Sequence, residues 1–453
     1  MRIGMDFGTT NSGIAVYDGT TIRVLPLDPF THGSTMRSVI YLTRDDELFV
    51  GQQAVELYNS QNINRKRHLV QKKVGRIRME LGEAGNLETD VHVIIDELEP
   101  GRLLRSLKSG LATGYSGTRV FAHDYTLEQL IALYLRTCRE RAAEALGQPV
   151  TAVTMGRPVH FVGAETAEDD QRAEDRLRAA AALAGFTHID FEFEPVAAAR
   201  HYAQSVRAPQ TILVYDFGGG TLDVTVMRVR PGLSPEILSI GGLGIAGDRF
   251  DQRVIEHGLT PHFGRDVTWG DKKLPMPRHI IDQISAWEGL ASLATVETRM
   301  YLHRLQTDCS AVARLYALES LIFNFYGFAL FETVEATKRR LSEATSSEIR
   351  FVGTDIDFWQ PITRAQFEYF TQSEWRQIRT LVTQVVADAG LTPAQIDAVV
   401  RTGGSSSIPA SLTLLADLFG TEKLVTEDLF TGVTAGLALV AHERDTIGRK
   451  RRA

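Results

Sequence analysis

Two stretches far apart in this chain are versions of one another. Residues 3–16 read IGMDFGTTNSGIAV, and residues 213–226 read LVYDFGGGTLDVTV. Each is an apolar run, then Asp-Phe-Gly, then small or hydroxyl residues, then a second apolar run. Apolar runs flanking such a turn predict a β-hairpin. The aspartates that mark the copies, Asp6 and Asp216, stand 210 residues apart. That spacing points to a duplicated domain and not to a short-period solenoid. The 453 residues are enough for two such domains, each with a core of ordinary size.

After each hairpin, strand and helix patterns alternate. In the first half, TLEQLIALYLRTCRERAAEAL (126–146) is a helix with Thr126 as N-cap and Gly147 as its stop. Pro195 suits the first turn of the helix after Glu194. The basic stretch 64–78 reads as a solvated face or loop, and 79–101 as strand and loop. In the second half, 260–280 reads as an irregular insertion, LIFNFYGFALF (321–331) as a buried helix, and 364–389 as one helix. The expected division is a first lobe at 1–212, with a small insertion at 30–104, and a second at 213–453. The second would carry a mostly helical insertion at 251–334, a last helix at 432–444 packing back toward the first lobe, and a basic tail at 445–453. The fold class expected is α/β, two lobes around a central cleft.

Bulk properties exclude several roles. A net charge of −7 and a pI near 6.0 argue against bulk nucleic-acid binding. The apolar run at 321–331 is far shorter than the ~20 residues that span a bilayer. Cys138 and Cys309 form neither a disulfide framework nor a zinc set, and the start MRIGMDFG has no apolar leader, so a reducing cytoplasm is expected.

A glycine-rich turn lets backbone N–H groups converge on phosphate. Gly218, Gly219 and Gly220 would let a ligand approach the main chain, while Gly8, Thr9, Thr10, Asn11 and Thr221 add polar groups. Asp6 and Asp216 would face each other across a cleft, with Asp223 nearby. Carboxylates beside phosphate repel it unless a cation intervenes, and Mg²⁺, which keeps its waters, is the natural one. Two other phosphate motifs fit less well. No Gly-Lys pair occurs, so there is no Walker-A loop. Gly242, Gly244 and Gly247 satisfy G-x-G-x-x-G, but Asp266, at the offset a dinucleotide site needs, falls in the irregular insertion. These glycines could instead bring a helix N-terminus to the same cleft.

The ordered segments GMDFGTTNS, FEPVAAA, YDFGGGTLDV, AGDRFD, EATKRRLS and RTGGSSSIP make the chain resemble the ATPase domain of heat shock protein 70 (DnaK-type) chaperones, most of all their shorter YegD-like branch. The resemblance covers nearly the whole chain and implies a two-lobed actin-like ATPase with ribonuclease H-like duplicated domains. It implies ATP or ADP with Mg²⁺ in the cleft. Asp6 and Asp216 would hold the metal, with Asp223 as a further carboxylate. Glu194 or Thr221 would orient the attacking water, and Gly247 and Asp248 would lie near ribose and phosphates. Glu335, Lys338 and Ser342, on one helical face, would cover the nucleoside. Gly403, Gly404 and Ser405 would form the adenosine loop. For the catalytic lysine, QKKVGR nominates Lys72 or Lys73 and RSLKSGL nominates Lys108, which is preferred.

Two departures qualify the resemblance. The position before Ile408-Pro409, where the family commonly has an arginine that packs on adenine, is Ser407. No residues are expected to remain after Ala453 for a peptide-binding domain. The function expected is a Mg²⁺-dependent, ATP-hydrolysing, chaperone-like switch that signals to a protein partner, a client or a regulator. Its alternatives are a sugar-kinase-like phosphotransferase and a non-catalytic, nucleotide-sensing or filament-forming actin-like module.

Overall fold

The computed structural model describes residues 2–66, 68–80, 86–426 and 431–450. Two mixed sheets carry the architecture. The first is built from β1 (Arg2–Phe7), β2 (Asn11–Tyr17), β3 (Ile22–Val24), β4 (Ala152–Arg157) and β5 (His188–Phe193), in the order β5-β4-β1-β2-β3. The short strand Thr35–Arg37 pairs off β2. The second sheet is built from β6 (Gln210–Phe217), β7 (Leu222–Val229), β8 (Glu236–Leu243), β9 (Ala398–Thr402) and β10 (Leu424–Thr426), in the order β10-β9-β6-β7-β8. The two orders are the same. In each sheet a hairpin opens the unit, and two later strands add in parallel beside its first strand.

The hairpins also share a register. Asp6 pairs with Gly13, and Asp216 with Asp223. Subtracting 210 from 216 and 223 gives 6 and 13, so the aspartates occupy equivalent places. The copies differ where Asp223 is matched by Gly13. Four helices matter for the site: α1 (Glu194–Ala203), α2 (Gly247–Val254), α3 (Gly327–Glu343) and α4 (Gly432–Lys450). Helix α4 lies against β1, β2 and α1. A Cβ at position 13 would stand 2.8 Å from Thr434 Oγ1 on that helix, so packing of α4 leaves no room for a side chain there.

Local sequence explains the elements. Ile212, Leu213, Val214, Tyr215 and Phe217 are all fully buried, as a strand covered on both faces requires. The helix Leu127–Leu146 starts on a reciprocal capping box between Thr126 and Gln129. It ends at Gly147, whose φ of 64° is left-handed.

Three expectations need correction. Most of the basic stretch at 64–78 is strand: Leu69–Glu80 pairs antiparallel with Asn86–Asp96. The run at 321–331 is not one helix. The helix Val312–Phe323 stops, Phe325 takes a left-handed φ of 60°, and α3 begins at Gly327. Contacts from the first lobe fix this break. Asn64 N–H donates to Asn324 O at 3.2 Å, and Tyr326 Oη donates to Asn64 Oδ1 at 2.8 Å. The segment 364–389 is two helices, Arg364–Phe370 and Gln372–Asp388, interrupted at Thr371. The Thr371 hydroxyl donates to Phe367 O and accepts from Trp375 Nε1. The Trp375 ring packs on Phe250, with centroids 4.9 Å apart.

Beyond the sheets, the lobes meet at an apolar seam. Val39, Tyr41, Val55, Tyr58 and Leu103 of the first lobe enclose Phe328 of α3, which is 1% exposed. The Tyr58 ring stands edge-on to both Phe328 and Trp287. Arg37 pairs with Glu332 and Glu335 beside the seam.

Candidate functional site

The two hairpin turns face each other across one cleft of about 400 Å³. Asp6, Gly8, Thr9, Thr10 and Asn11 line it from the first lobe, with Lys108 and Glu194. From the second lobe come Asp216, Gly218, Gly219, Gly220, Thr221, Gly247, Asp248, Glu335, Lys338 and Ser342. Gly403, Gly404, Ser405 and Ser407 complete that wall. Asp223 does not line it: the residue is 2% exposed and stands beside Asp216, its partner in register on the neighbouring strand. Its Oδ1 has no hydrogen-bond partner among the described residues.

The glycines at 218–220 serve a purpose that the sequence reading did not assign. A Cβ on Gly219 would lie 2.1 Å from Thr10 Oγ1. The missing side chain therefore lets the two turns interlock, in addition to opening the main chain to a ligand. Helix α2 also acts differently from a dipole aimed at an anion. Its first amides are used internally: Gly247 N–H donates to Gly218 O at 3.3 Å, and Asp248 N–H to Gly219 O at 2.9 Å. Ser405 Oγ donates to the same Gly218 carbonyl at 2.7 Å. The second turn is thus held from behind by two segments.

Lys108 enters from the turn Leu107–Gly110. Ser106, just before it, adopts a left-handed φ of 54°, which breaks the strand Gly101–Arg105 and redirects the chain. The lysine is 7% exposed, and its Nζ donates to Glu194 Oε1 at 2.7 Å. Glu194 opens α1, ahead of Pro195 in the first turn. The rival lysines, Lys72 and Lys73, lie on the strand Leu69–Glu80; their side chains fall outside the described residues.

Charge is concentrated here. Burial, then Glu194, pushes Asp6 up to about 8 and Asp216 up to about 6. Asp223 is raised well above the usual carboxylate range by burial and by Asp216. Burial alone would depress the Lys108 ammonium, but Glu194, Asp6 and Asp223 outweigh it and hold the group above its ordinary value. Four carboxylates surround one ammonium, so the site has an unmet demand for positive charge. Among the described residues, no three His, Cys, Asp or Glu side chains are placed to ligate one ion directly. A hydrated divalent cation, bound largely through its waters, suits such a set, with Asp6 and Asp216 as the residues to hold it.

On the α3 wall of the cleft, Lys338 Nζ donates to Gly247 O at 2.9 Å and to Asp251 Oδ2 at 2.7 Å. Burial opposes charge on Glu335, yet Arg339, Lys338, Arg37 and Arg105 hold it below its usual range. Sequence reasoning missed Pro158, Phe161, Val162 and Arg339, which also line the cleft. The first three are single apolar residues in a loop and follow no pattern. Arg339 directly follows a nominated lysine and could have been found from its place one step around the same helix. Asp266 is exposed, pairs with Arg265 and does not line the cleft, so it does not supply the acidic partner that a dinucleotide reading of Gly242, Gly244 and Gly247 needs.

Two sheets of identical strand order, each presenting a hairpin turn to a shared cleft, define the two-lobed actin-like ATPase fold. A family model described as Hsp70 protein matches residues 2–273 and 328–443, and the chain belongs to that family. It is similar to the chaperone protein DnaK of Gracilaria tenuistipitata var. liui, at 28% identity over 431 residues, covering 92% of this chain and 56% of that relative. DnaK of Thermus thermophilus is 26% identical over 428 residues, covering 93% and 57% respectively. The chain thus spans less than two thirds of the length of these relatives. Residues 274–327 lie outside the ranges matched by the family. Among the described residues, no helix is long and apolar enough to cross a membrane.

Proposed function

We propose that this protein binds ATP with Mg²⁺ between its lobes and hydrolyses it slowly, as a chaperone-like conformational switch acting on a protein partner in the cytoplasm. The observation that carries this reading is the interlocking of the two hairpin turns at Gly219 and Thr10, beside the buried Lys108–Glu194 pair. Converging turns suit the β- and γ-phosphates. Phosphoryl transfer needs positioning and charge neutralisation more than covalent chemistry, and this cleft is built from groups that do both.

The residues divide the work. Asp6 and Asp216 would hold the hydrated cation, and the buried Asp223 beside Asp216 adds to the negative field. Bound there, Mg²⁺ would supply charge neutralisation to the phosphates. Lys108 offsets charge that develops on the transferring group, and Glu194, bonded to it, orients water with Thr221. Glu335, Lys338 and Ser342 of α3, with Gly403, Gly404 and Ser405, hold the nucleoside. Ser407 cannot stack on a base; the Arg339 side chain, 70% exposed at the cleft, supplies a planar face for that contact. The division between lobes falls near residue 212. The relatives are named chaperones, which supports a partner of protein class.

Single-turnover hydrolysis of ATP with Mg²⁺ tests the reading. Asp216→Asn is expected to slow it by at least about 100-fold. Unchanged hydrolysis would refute the assignment of Asp216.

A further inference from the structure

Helix α3 contributes Glu335, Lys338, Arg339, Ser342 and Glu343 to the nucleotide cleft. Its middle is pinned by Lys338, which donates to Gly247 O and to Asp251. Its last turn, which carries Ser342 and Glu343, is held from outside the cleft by one side chain. Arg364 Nε donates to Leu341 O at 2.9 Å, and its Nη2 donates to Ala344 O at 3.0 Å and to Ser342 O at 3.4 Å. Arg364 does not itself line the cleft. No carboxylate among the described residues pairs with it.

The fold brings the guanidinium there for local reasons. The strands Ser346–Gly353 and Ile356–Thr363 form a hairpin whose outermost pair, Ser346 with Thr363, closes just beyond the helix. The chain thus returns to the end of α3, and Arg364 N–H donates to Thr345 O at 2.9 Å. A reciprocal capping box between Thr363 and Gln366 fixes the backbone at Arg364, the first residue of the next helix. The last carbonyls of a helix have no partner within it. Ala344 N–H takes Arg340 O at 2.8 Å, and Arg364 takes the carbonyls of Leu341 and Ser342. Its charge suits the negative end of the helix. A planar fork can also reach several carbonyls at once, which a lysine ammonium does less well.

We propose that Arg364 is a positioning residue for the nucleoside, acting through Ser342 and Glu343. This rests on the reading of the cleft as a nucleotide site. Without the guanidinium the last turn of α3 unwinds, and both residues leave the places from which they meet the nucleoside. None of the Arg364 bonds reaches the phosphate turns at 8–11 and 218–221 or the Lys108–Glu194 pair. Arg364 therefore sets how tightly the nucleotide is held and leaves the transfer step alone.

Calorimetric titration with ADP and Mg²⁺, and single-turnover hydrolysis at saturating ATP, test this on the full chain. Arg364→Ala is expected to weaken ADP about tenfold, while the rate at saturation stays within about twofold of the wild type. Arg364→Lys, which keeps the charge and loses the fork, should recover part of the affinity. Ser342→Ala should weaken ADP as well, and the double variant should lose about as much as Arg364→Ala alone, because the two residues act in series. Losses that add, unchanged ADP affinity in Arg364→Ala, or a rate at saturation that falls along with the affinity overturns the proposal. If Arg364→Ala does not fold, Arg364→Lys with and without Ser342→Ala decides by the same comparison. A wild type that binds no ADP refutes the nucleotide reading itself, and the proposal with it, whereas a wild type that binds ADP with variants that match it refutes the proposal alone.

Discussion

Lys108 and Glu194 are 86 residues apart in sequence, yet Nζ and Oε1 meet at 2.7 Å in the floor of the cleft, both side chains nearly buried. A strand that ends at a left-handed serine delivers one, and the first turn of a helix delivers the other. Lys108 offsets the charge of Asp6, Asp216 and Asp223, whereas Glu194 adds to it.

Replacing the lysine separates chemistry from binding. Lys108→Met should lower single-turnover hydrolysis by at least about 100-fold while ATP affinity changes only a few-fold. Leaving Glu194 buried without its partner should also cost about 3–5 kcal/mol of stability, read by urea unfolding without metal. Full hydrolysis in this variant would return the catalytic role to Lys72 or Lys73.

The carboxylates predict how stability depends on pH. The folded state keeps protons on Asp6 up to about 8 and on Asp216 up to about 6, whereas the unfolded chain releases them near 3.8. Through that window the folded state binds more protons, so stability falls as pH rises. Without metal, the melting temperature at pH 8 should lie below that at pH 5. Mg²⁺ should raise it more at pH 8 than at pH 5, because it binds the ionised form. A metal effect that is equal at both pH values would contradict the assignment.

The apolar seam should govern nucleotide release. Phe328 is 1% exposed and joins the small insertion of the first lobe to α3, so the cleft cannot open widely while it is seated. Phe328→Ala removes a large buried ring, at a cost of about 3–5 kcal/mol within the closed state. Dissociation of a fluorescent ADP should accelerate about tenfold or more, while the wild-type rate of phosphoryl transfer is kept. An unchanged release rate would show that the lobes part elsewhere.

How far the sequence is legible depends on what each signal records. The hairpins are readable because the turn and its flanking strands are contiguous, and the shared register comes from turns of equal length, closed by the pairs Phe7–Ser12 and Phe217–Leu222. Helix ends at Thr126 and Gly147 are readable because capping is local. The break at Phe325 is not, because its causes are Asn64 and Tyr326, brought together only by the fold. Thr371 is hidden in the same way, since its hydroxyl is held by Phe367 and Trp375 in an otherwise regular helical pattern. The burial of Asp223 beside Asp216 is not legible either, because the hairpin sequence places the two carboxylates together without saying which of them reaches the cleft surface. Phe161 and Val162 cannot be found at all, since an apolar residue in a loop looks the same whether it lines a cleft or a core.

The most direct test of the account is calorimetric titration of Gly219→Val with ATP in the presence of Mg²⁺. The added Cβ would lie 2.1 Å from Thr10 Oγ1 and must push the two turns apart. Affinity should fall by at least about tenfold while the far-ultraviolet circular dichroism and the melting temperature stay near those of the wild type. Wild-type affinity in the variant would mean that the turns do not hold the phosphates between them, and the account would fail.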